Sequence, residues 1–232
     1  MFSFIMSSLN HIAIIVDGNR RWAKAQNLPT LEGHLAGYKK VKEFARFIFK
    51  RGIPWASFYL FSKENWKRKE AEVGYLFNLL ETGLKNEIDE FVRDGIRLHF
   101  VGEREELRES LQKLIAEAEE KTKNGTKGNF VACINYGGSQ AILEAVKKLS
   151  SGGIDLSKIT SDDLKQAMTT RNLPPVDLMI RTSGEQRISN FLLWELLYAE
   201  LYFTPTLFPD LSEEEFDKIL AWYAIRERRF GK

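Results

Sequence analysis

The residues best suited to chemistry fall in short polar segments. Asp17-Gly18-Asn19-Arg20-Arg21-Trp22 follows an apolar run and opens a polar stretch of helical character. Gly18 permits a tight turn, free backbone N–H groups at a helix start attract phosphate, and two arginines add charge-assisted donors. A carboxylate beside such donors is a poor phosphate ligand but a good Mg2+ ligand, because the metal bridges carboxylate and phosphate oxygens that otherwise repel. The same residues also suit a plain turn in which Asp17 caps the next helix. Arg181, with Arg187 and Ser189 close behind, offers two guanidinium groups and a hydroxyl to one diphosphate; the ordinary alternative is surface pairing with Glu185. From Ser62 to Arg68, Ser62 and Asn65 supply polar groups, Trp66 an apolar face and Arg68 a charge, although a solvated loop anchored by one tryptophan reads the same way. His34 follows Gly33 at a helix start, where an isolated histidine is more often structural. It has no metal-ligand spacing with His11 or His99, which excludes zinc.

These segments follow short apolar runs: Ile12 to Val16, Ala56 to Phe61, Phe130 to Ile134 and Val176 to Ile180. Ile96 to Val101 ends at Gly102, and Leu201 to Phe203 follows Glu200. Stretches with helical spacing lie between the runs, so the alternation predicts an α/β fold. In a parallel sheet the ligand sits beyond the carboxyl ends of the strands, which gathers the polar segments into one site. Leu35, Tyr38, Val41, Phe44 and Ile48 share a helical face that Gly52 terminates. Val73, Leu76, Phe77, Leu80, Leu84, Ile88 and Phe91 form a stripe unusually wide for a helix on a single sheet. A third helix carries Leu107, Leu111, Leu114, Ile115 and Ala118; a last one starts at Ser212 with Glu215 as a capping box and runs towards Arg226 to Arg229.

With 232 residues, 44% of them hydrophobic, the chain is long enough for one sizeable core. Residues 1–10 read as an N-terminal extension without the features of a signal peptide, and 11–232 as one catalytic domain. Lys and Arg total 34 against 32 Asp and Glu, a net charge of +2, which argues against a nucleic-acid partner. The single cysteine, Cys133, makes no internal disulfide and fits a reducing cytoplasm. No apolar run is long enough to cross a membrane. The Walker pattern, Gly-x-Gly-x-x-Gly, Gly-x-Ser-x-Gly and Asp-Asp-x-x-Asp are all missing, which disfavours ATPase, dinucleotide, esterase and trans-prenyltransferase chemistry.

Taken in order, the segments resemble the cis-prenyltransferase family. The likeness runs from His11-Ile12-Ala13-Ile14-Ile15-Val16-Asp17-Gly18-Asn19 through Gly33-His34-Leu35-Ala36-Gly37, Phe61-Ser62-Lys63-Glu64-Asn65-Trp66-Lys67-Arg68 and Asn135-Tyr136-Gly137-Gly138. It continues through Val176 to Thr182, Arg187 to Trp194 and Ala199 to Phe203 to the closing Arg226 to Gly231. The resemblance implies a single domain with a largely parallel six-stranded sheet flanked by helices, a hydrophobic tunnel and a homodimer. It implies successive, Mg2+-dependent condensation of isopentenyl diphosphate onto farnesyl diphosphate, giving a Z-polyprenyl diphosphate such as the undecaprenyl carrier of cell-wall synthesis. By the same resemblance Asp17 is the catalytic acid and Mg2+ ligand, with Glu200 as second ligand. Gly18, Asn19, Arg20, Arg21, Trp22, His34, Ser62, Lys63, Glu64, Trp66 and Arg68 line the allylic site. Arg181, Arg187, Ile188 and Ser189 hold isopentenyl diphosphate. Asn65 matches a position assigned to proton acceptance, although an amide is a poor base and is better suited to positioning a diphosphate.

The chain departs from the family pattern at Thr30, where an arginine usually meets the allylic diphosphate, and at Arg20, often glycine, whose guanidinium is expected to compensate. The wide stripe from Val73 to Phe91 is expected to wall the tunnel, and Leu60 to contribute to its floor. A product of another length and a non-catalytic partner subunit of the same fold are the competing readings. A greasy product also implies contact with the inner face of a membrane.

Overall fold

Apolar segments form the strands, buried on both faces at the centre of the sheet and partly exposed at its edges, and the polar segments follow at their carboxyl ends. The computed structural model describes residues 9–226. Its strands are β1 (His11–Ile15), β2 (Trp55–Ser62), β3 (Ile96–Val101), β4 (Gly128–Tyr136), β5 (Leu178–Arg181) and β6 (Glu200–Phe203). They form one sheet in the order β3-β4-β2-β1-β5-β6, parallel throughout. All five residues of β1 are buried, as a strand covered on both faces requires. The chain leaves β1 towards β2 on one side and later returns to β5 on the other. The crevice of such a sheet therefore opens beside the ends of β1 and β5.

The helices are α1 (Asn19–Ala25), α2 (Thr30–Lys50), α3 (Glu70–Asp94), α4 (Glu109–Thr122), α5 (Gly138–Ser151), α6 (Ser161–Ala167) and α7 (Glu213–Ala224). Gly52, in the left-handed region at φ +74°, follows the end of α2 as expected. Leu107 packs from the turn before α4 rather than from within it. The capping box of α7 forms only by half. Ser212 Oγ accepts from the Glu215 N–H at 3.1 Å, but the Glu215 carboxylate turns away to accept from the Thr204 and Thr206 hydroxyls at 2.6 and 2.9 Å. α7 ends at Ala224; Arg228, Arg229, Phe230, Gly231 and residues 1–8 of the extension lie outside the described residues.

Alternate residues of the strands feed two separate cores. Ile12, Ile14 and Phe58 point to a core under α2, α3, α4 and α7 that includes Phe44, Phe208 and Phe216. Ala13, Ile15, Tyr59 and Met179 point to a second core under α5, with Cys133 and Phe191. Burial pushes the Cys133 thiol well up from its ordinary pKa, which keeps it protonated and inert. No helix among the described residues is long and apolar enough to cross a membrane.

Candidate active site

Asp17 sits just past β1, where Thr182 Oγ1 and the Phe208 N–H both donate to its carbonyl, at 2.6 and 3.1 Å. Its carboxylate faces the end of β5, because Ile15 and Arg181 are partners in the β1–β5 register. Arg181 Nη2 donates to Asp17 Oδ2 at 2.8 Å, while Arg21 Nη2 lies 3.5 Å from Oδ1. The Arg181 side chain is only 5% exposed against 30% for Asp17, so the pair is buried on the protein side and open on the other. Arg181 Nη1 is held in turn by the Arg187 carbonyl at 2.6 Å and by Ser189 Oγ at 2.7 Å.

The loop that supplies these acceptors is strained. Ser183, Ser189, Asn190 and Leu192 all have positive φ without being glycine, each conformation costing on the order of 1 kcal/mol or more. The Arg187 side chain points outward to pair with Glu185, so its backbone rather than its guanidinium serves Arg181.

α1 is fixed against α2 by two glycines. A Cβ on Gly33 would lie 2.1 Å from the Asn19 carbonyl oxygen, and one on Gly37 would lie 2.5 Å from the Asn19 amide. The Gly-x-x-x-Gly spacing in α2 is thus a seat for Asn19, and it brings the start of α1 to the mouth of the site. Gly18, at φ +108°, allows the turn into α1.

On α2, His34 Nε2 lies 3.0 Å from Glu72 Oε1 of α3. A carboxylate only accepts, so Nε2 carries the hydrogen. Burial lowers the His34 pKa, so the ring is neutral. Glu72 also meets Arg68 Nη1 at 3.3 Å and faces Arg20 Nε at 3.9 Å. Burial pushes the Glu72 carboxyl up, but the His34 bond and the two guanidiniums outweigh it and hold it below the usual range. This hub was not singled out from the sequence. Its only signal there is an acid four residues after Arg68, the spacing of a helical ion pair.

The turn Lys63–Lys67 is closed by Ser62 and Asn65: Asn65 Oδ1 accepts from the Ser62 N–H at 3.0 Å. The Asn65 oxygen is thereby committed, which suits its amide to donating rather than to accepting a proton. Trp66 Nε1 donates to Asn135 Oδ1 at 2.7 Å, and Lys63 pairs with Glu103 and Glu106. Glu106 is held at a pKa of about 2 by Lys63 and Asn135. These contacts tie the turn to the far side of β4 and place Lys63 and Trp66 behind the site rather than in it. Asn135, buried with φ +52°, is a second supporting residue; the sequence offers it as part of a matching segment without giving it a role.

A cavity of about 1270 Å³ opens at this cluster. Asp17, Gly18, Asn19, Arg20, Arg21, Thr30, His34, Ser62, Glu64, Asn65, Arg68, Arg181 and Ser189 line it. Trp22 is not among the lining residues; its Nε1 donates to Asp210 Oδ1 at 2.7 Å. Ile188 packs against the core on the α5 side. Beyond the mouth the lining becomes apolar. The wide stripe of α3 splits, with Leu76, Leu80, Leu84 and Phe91 facing the cavity while Val73, Phe77 and Ile88 are buried in the core. The floor expected at Leu60 lies elsewhere. Leu60 is two residues from the strand end and forms wall near the mouth, whereas Phe130, in register with Ala56 and Leu98, sits about 13 Å deeper, at 3.3 Å per residue.

Arg181 Nε and Asn19 Oδ1, on two residues that line the cavity, are buried without a hydrogen-bond partner, a cost that a polar ligand or water at the mouth removes. Among the described residues no three His, Cys, Asp or Glu side chains converge on a metal position. Glu200 does not join Asp17 within the chain. It pairs in register with Leu178, three residues before Arg181, and meets Arg226 Nε at 3.0 Å. The donor set fits Mg2+ only in the way that ion often binds, by one carboxylate, here Asp17, with substrate phosphate and water completing the shell.

The chain that builds this polar mouth over an apolar cavity is similar in sequence and fold to known proteins over nearly its whole length. The family model described as "Putative undecaprenyl diphosphate synthase" covers residues 15–231. The chain belongs to this family. A ditrans,polycis-undecaprenyl-diphosphate synthase of Vibrio vulnificus, named as specific for (2E,6E)-farnesyl diphosphate, is 43% identical over 98% of this chain and 92% of its own length. An isoprenyl transferase of Treponema denticola is 44% identical over 96% of this chain and 97% of its own. Among solved structures, lavandulyl diphosphate synthase from Lavandula x intermedia, in complex with dimethylallyl diphosphate, superposes with a TM-score of 0.91 at 35% identity, covering 96% of this chain and 98% of that one. A probable undecaprenyl diphosphate synthase from Campylobacter jejuni gives 0.80 at 33%, covering 97% and 99%. As a member of this family the chain is a prenyltransferase with the expected six-stranded parallel sheet.

Proposed function

We propose that the chain condenses isopentenyl diphosphate successively onto farnesyl diphosphate and releases a long Z-polyprenyl diphosphate, undecaprenyl diphosphate for the cell-wall lipid carrier. The observation that carries this reading is the continuity of the Asp17–Arg181 mouth with a deep apolar cavity reaching Phe130. In each cycle the allylic C–O bond breaks and diphosphate leaves. The isopentenyl double bond supplies the electrons of the new C–C bond, and a proton departs to leave a Z double bond. Arg20, Arg21, Arg68 and the N–H groups beside Gly18 balance the allylic diphosphate, with Asn65 as a neutral donor, while His34 spends its one N–H on Glu72 and so helps position Arg68 and Arg20. Arg181 and Ser189 orient isopentenyl diphosphate, so that positioning of two bound substrates lowers much of the barrier. Asp17 would hold Mg2+ together with substrate phosphate, and the ion when bound would supply charge neutralisation for the leaving group.

Purified protein given farnesyl diphosphate, labelled isopentenyl diphosphate and Mg2+ is expected to make a ladder ending at one long product. Asp17→Ala is expected to lower the rate about 10³-fold, the scale for losing a charge-stabilising group. No elongation from any allylic primer overturns the reading in favour of a non-catalytic partner subunit. The likeness to lavandulyl diphosphate synthase favours a second reading, a short product, which the same gel separates. Leu197, Tyr198 and Leu201, exposed beside the edge strand β6, support a homodimer, which sedimentation tests. A product of this length enters a bilayer, which fits peripheral contact of a cytoplasmic enzyme with the inner membrane face and is tested by vesicle flotation.

A further inference from the structure

The apolar wall of the cavity is interrupted at one place. Tyr38, one helical turn beyond His34 on α2, reaches across to Gly83 in the middle of α3. A Cβ built on Gly83 would stand 2.2 Å from Tyr38 Oη and 2.5 Å from two ring carbons. Glycine inside a helix costs up to about 1 kcal/mol relative to alanine. Gly83 has no positive φ to justify that cost, and the three atoms nearest its missing Cβ all belong to the phenol. The residue is a notch that receives the phenol.

The hydroxyl of the seated phenol faces the carboxylate of Glu87, one turn further along α3, and Glu87 Oε1 accepts from Lys42 Nζ at 3.2 Å. Lys42 is held a second time by Glu90 Oε2 at 2.6 Å. Tyr38, Lys42, Gly83 and Glu87 all line the cavity, between Leu80 on the mouth side and Leu84 and Phe91 on the deep side. Burial and the neighbouring Glu87 raise the phenol's pKa, so it stays a neutral donor. Because the polar atoms satisfy one another, an apolar chain can pass them without leaving a buried charge unpaired. A phenol displaced from the notch has the lumen as its adjoining free volume.

We propose that Tyr38, parked in the Gly83 notch, is a retractable constriction that sets how far a growing prenyl chain advances along the cavity, and so sets product length. This rests on the reading of the chain as a polyprenyl synthase, and it makes Tyr38 and Gly83 specificity-determining residues one layer deeper than the diphosphate mouth.

The test compares the products of the wild type, Gly83→Ala, Tyr38→Ala and the double variant, made from farnesyl diphosphate and labelled isopentenyl diphosphate. Gly83→Ala is expected to shorten the final product by evicting the phenol, with the KM of both diphosphates unchanged within about twofold. The double variant is expected to return to the length made by Tyr38→Ala, because the added methyl then has nothing to displace. Tyr38→Phe, which removes only the anchoring hydroxyl and keeps the ring, is expected to broaden the product distribution and covers the case of a Gly83→Ala chain that does not fold. A wild-type length in Gly83→Ala, or a double variant as short as Gly83→Ala, overturns the constriction while leaving the polyprenyl reading intact. An unbroadened Tyr38→Phe product overturns the anchor and with it the retraction. A wild type that elongates nothing overturns both readings at once.

Discussion

On the α5 side of the sheet, Phe191 lies flat on Tyr59 with ring centres 4.5 Å apart, and Cys133, Val131 and Met179 expose nothing. On the α2 and α3 side, Leu60, Leu76, Leu80 and Leu84 are only partly buried, around about 1270 Å³ of open volume. Both faces use the same strands, with alternate residues serving each. Side chains lining a void lose contact partners on one side, so the hollow face forgoes dispersion energy that the solid face keeps. The hollow face is closed instead at its margins. Phe44 packs edge to face with Phe208 and tilted against Phe216 at one end, and Lys42, Glu87, Glu90 and Arg46 bind α2 to α3. The difference separates two duties. One face holds the sheet together, and the other can be reshaped without unfolding it.

Truncations measure that separation directly. Phe191→Ala is expected to cost about 3–5 kcal/mol of stability by urea unfolding and to leave product length unchanged, whereas Leu84→Ala, already beside open volume, costs about 2 kcal/mol or less. Equal losses would mean that the cavity collapses on its own and that the two faces are alike.

Acid sharpens the contrast next, because the solid face hides a histidine. His11 Nε2 meets Ser57 Oγ at 2.7 Å and Nδ1 meets the Pro174 carbonyl at 2.9 Å, and burial lowers its pKa to about 4. Since the unfolded chain takes up this proton near pH 6.5, stability is full above that pH and falls as pH drops towards 4. The loss from His11 between pH 7 and pH 4 is about 3 kcal/mol. His34 and His99, also lowered by burial, act in the same direction. A stability that is flat over this range contradicts the assignment.

Overfilling probes the hollow face. Leu84→Trp is expected to shorten the product with a melting temperature close to wild type; a full-length product would remove α3 from the tunnel wall. The smallest effect is expected at the mouth. Arg20, 60% exposed and shared with Glu72, contributes about 1 kcal/mol or less as a surface charge, so Arg20→Gly should raise the KM for the allylic diphosphate about threefold to fivefold. An unchanged KM ends the idea that Arg20 replaces the arginine missing at Thr30.

Much of this was readable from the sequence because strand ends leave a mark. An apolar run that stops at Asp17, at Arg181 or at Ser62 announces both the strand and the group it presents. The residues that escaped are those whose role depends on partners far along the chain. Glu72 reads as an ordinary acid in the first turn of a helix until His34 and Arg68 are seen around it. Trp22 has the composition of a site residue but is drawn off by Asp210. Arg187 reads as a phosphate ligand, yet the loop from Ser183 to Leu192 bends through left-handed conformations, of which only that at Gly184 is signalled by a glycine, and delivers its carbonyl. Leu60 reads as floor in the sequence because distance along a strand from its carboxyl end converts to depth only once the register with β4 is known.

Asn19 and its two glycines carry one more implication, for how such a molecule can vary. A larger residue at Asn19 has no room unless α2 recedes, and a side chain at Gly33 or Gly37 has none unless Asn19 moves away. These three positions therefore behave as one heritable unit, able to drift only by coordinated replacement. The leucines around the void can be exchanged one at a time, so descendants of this chain can diversify in what they make while the machinery that makes it stays locked.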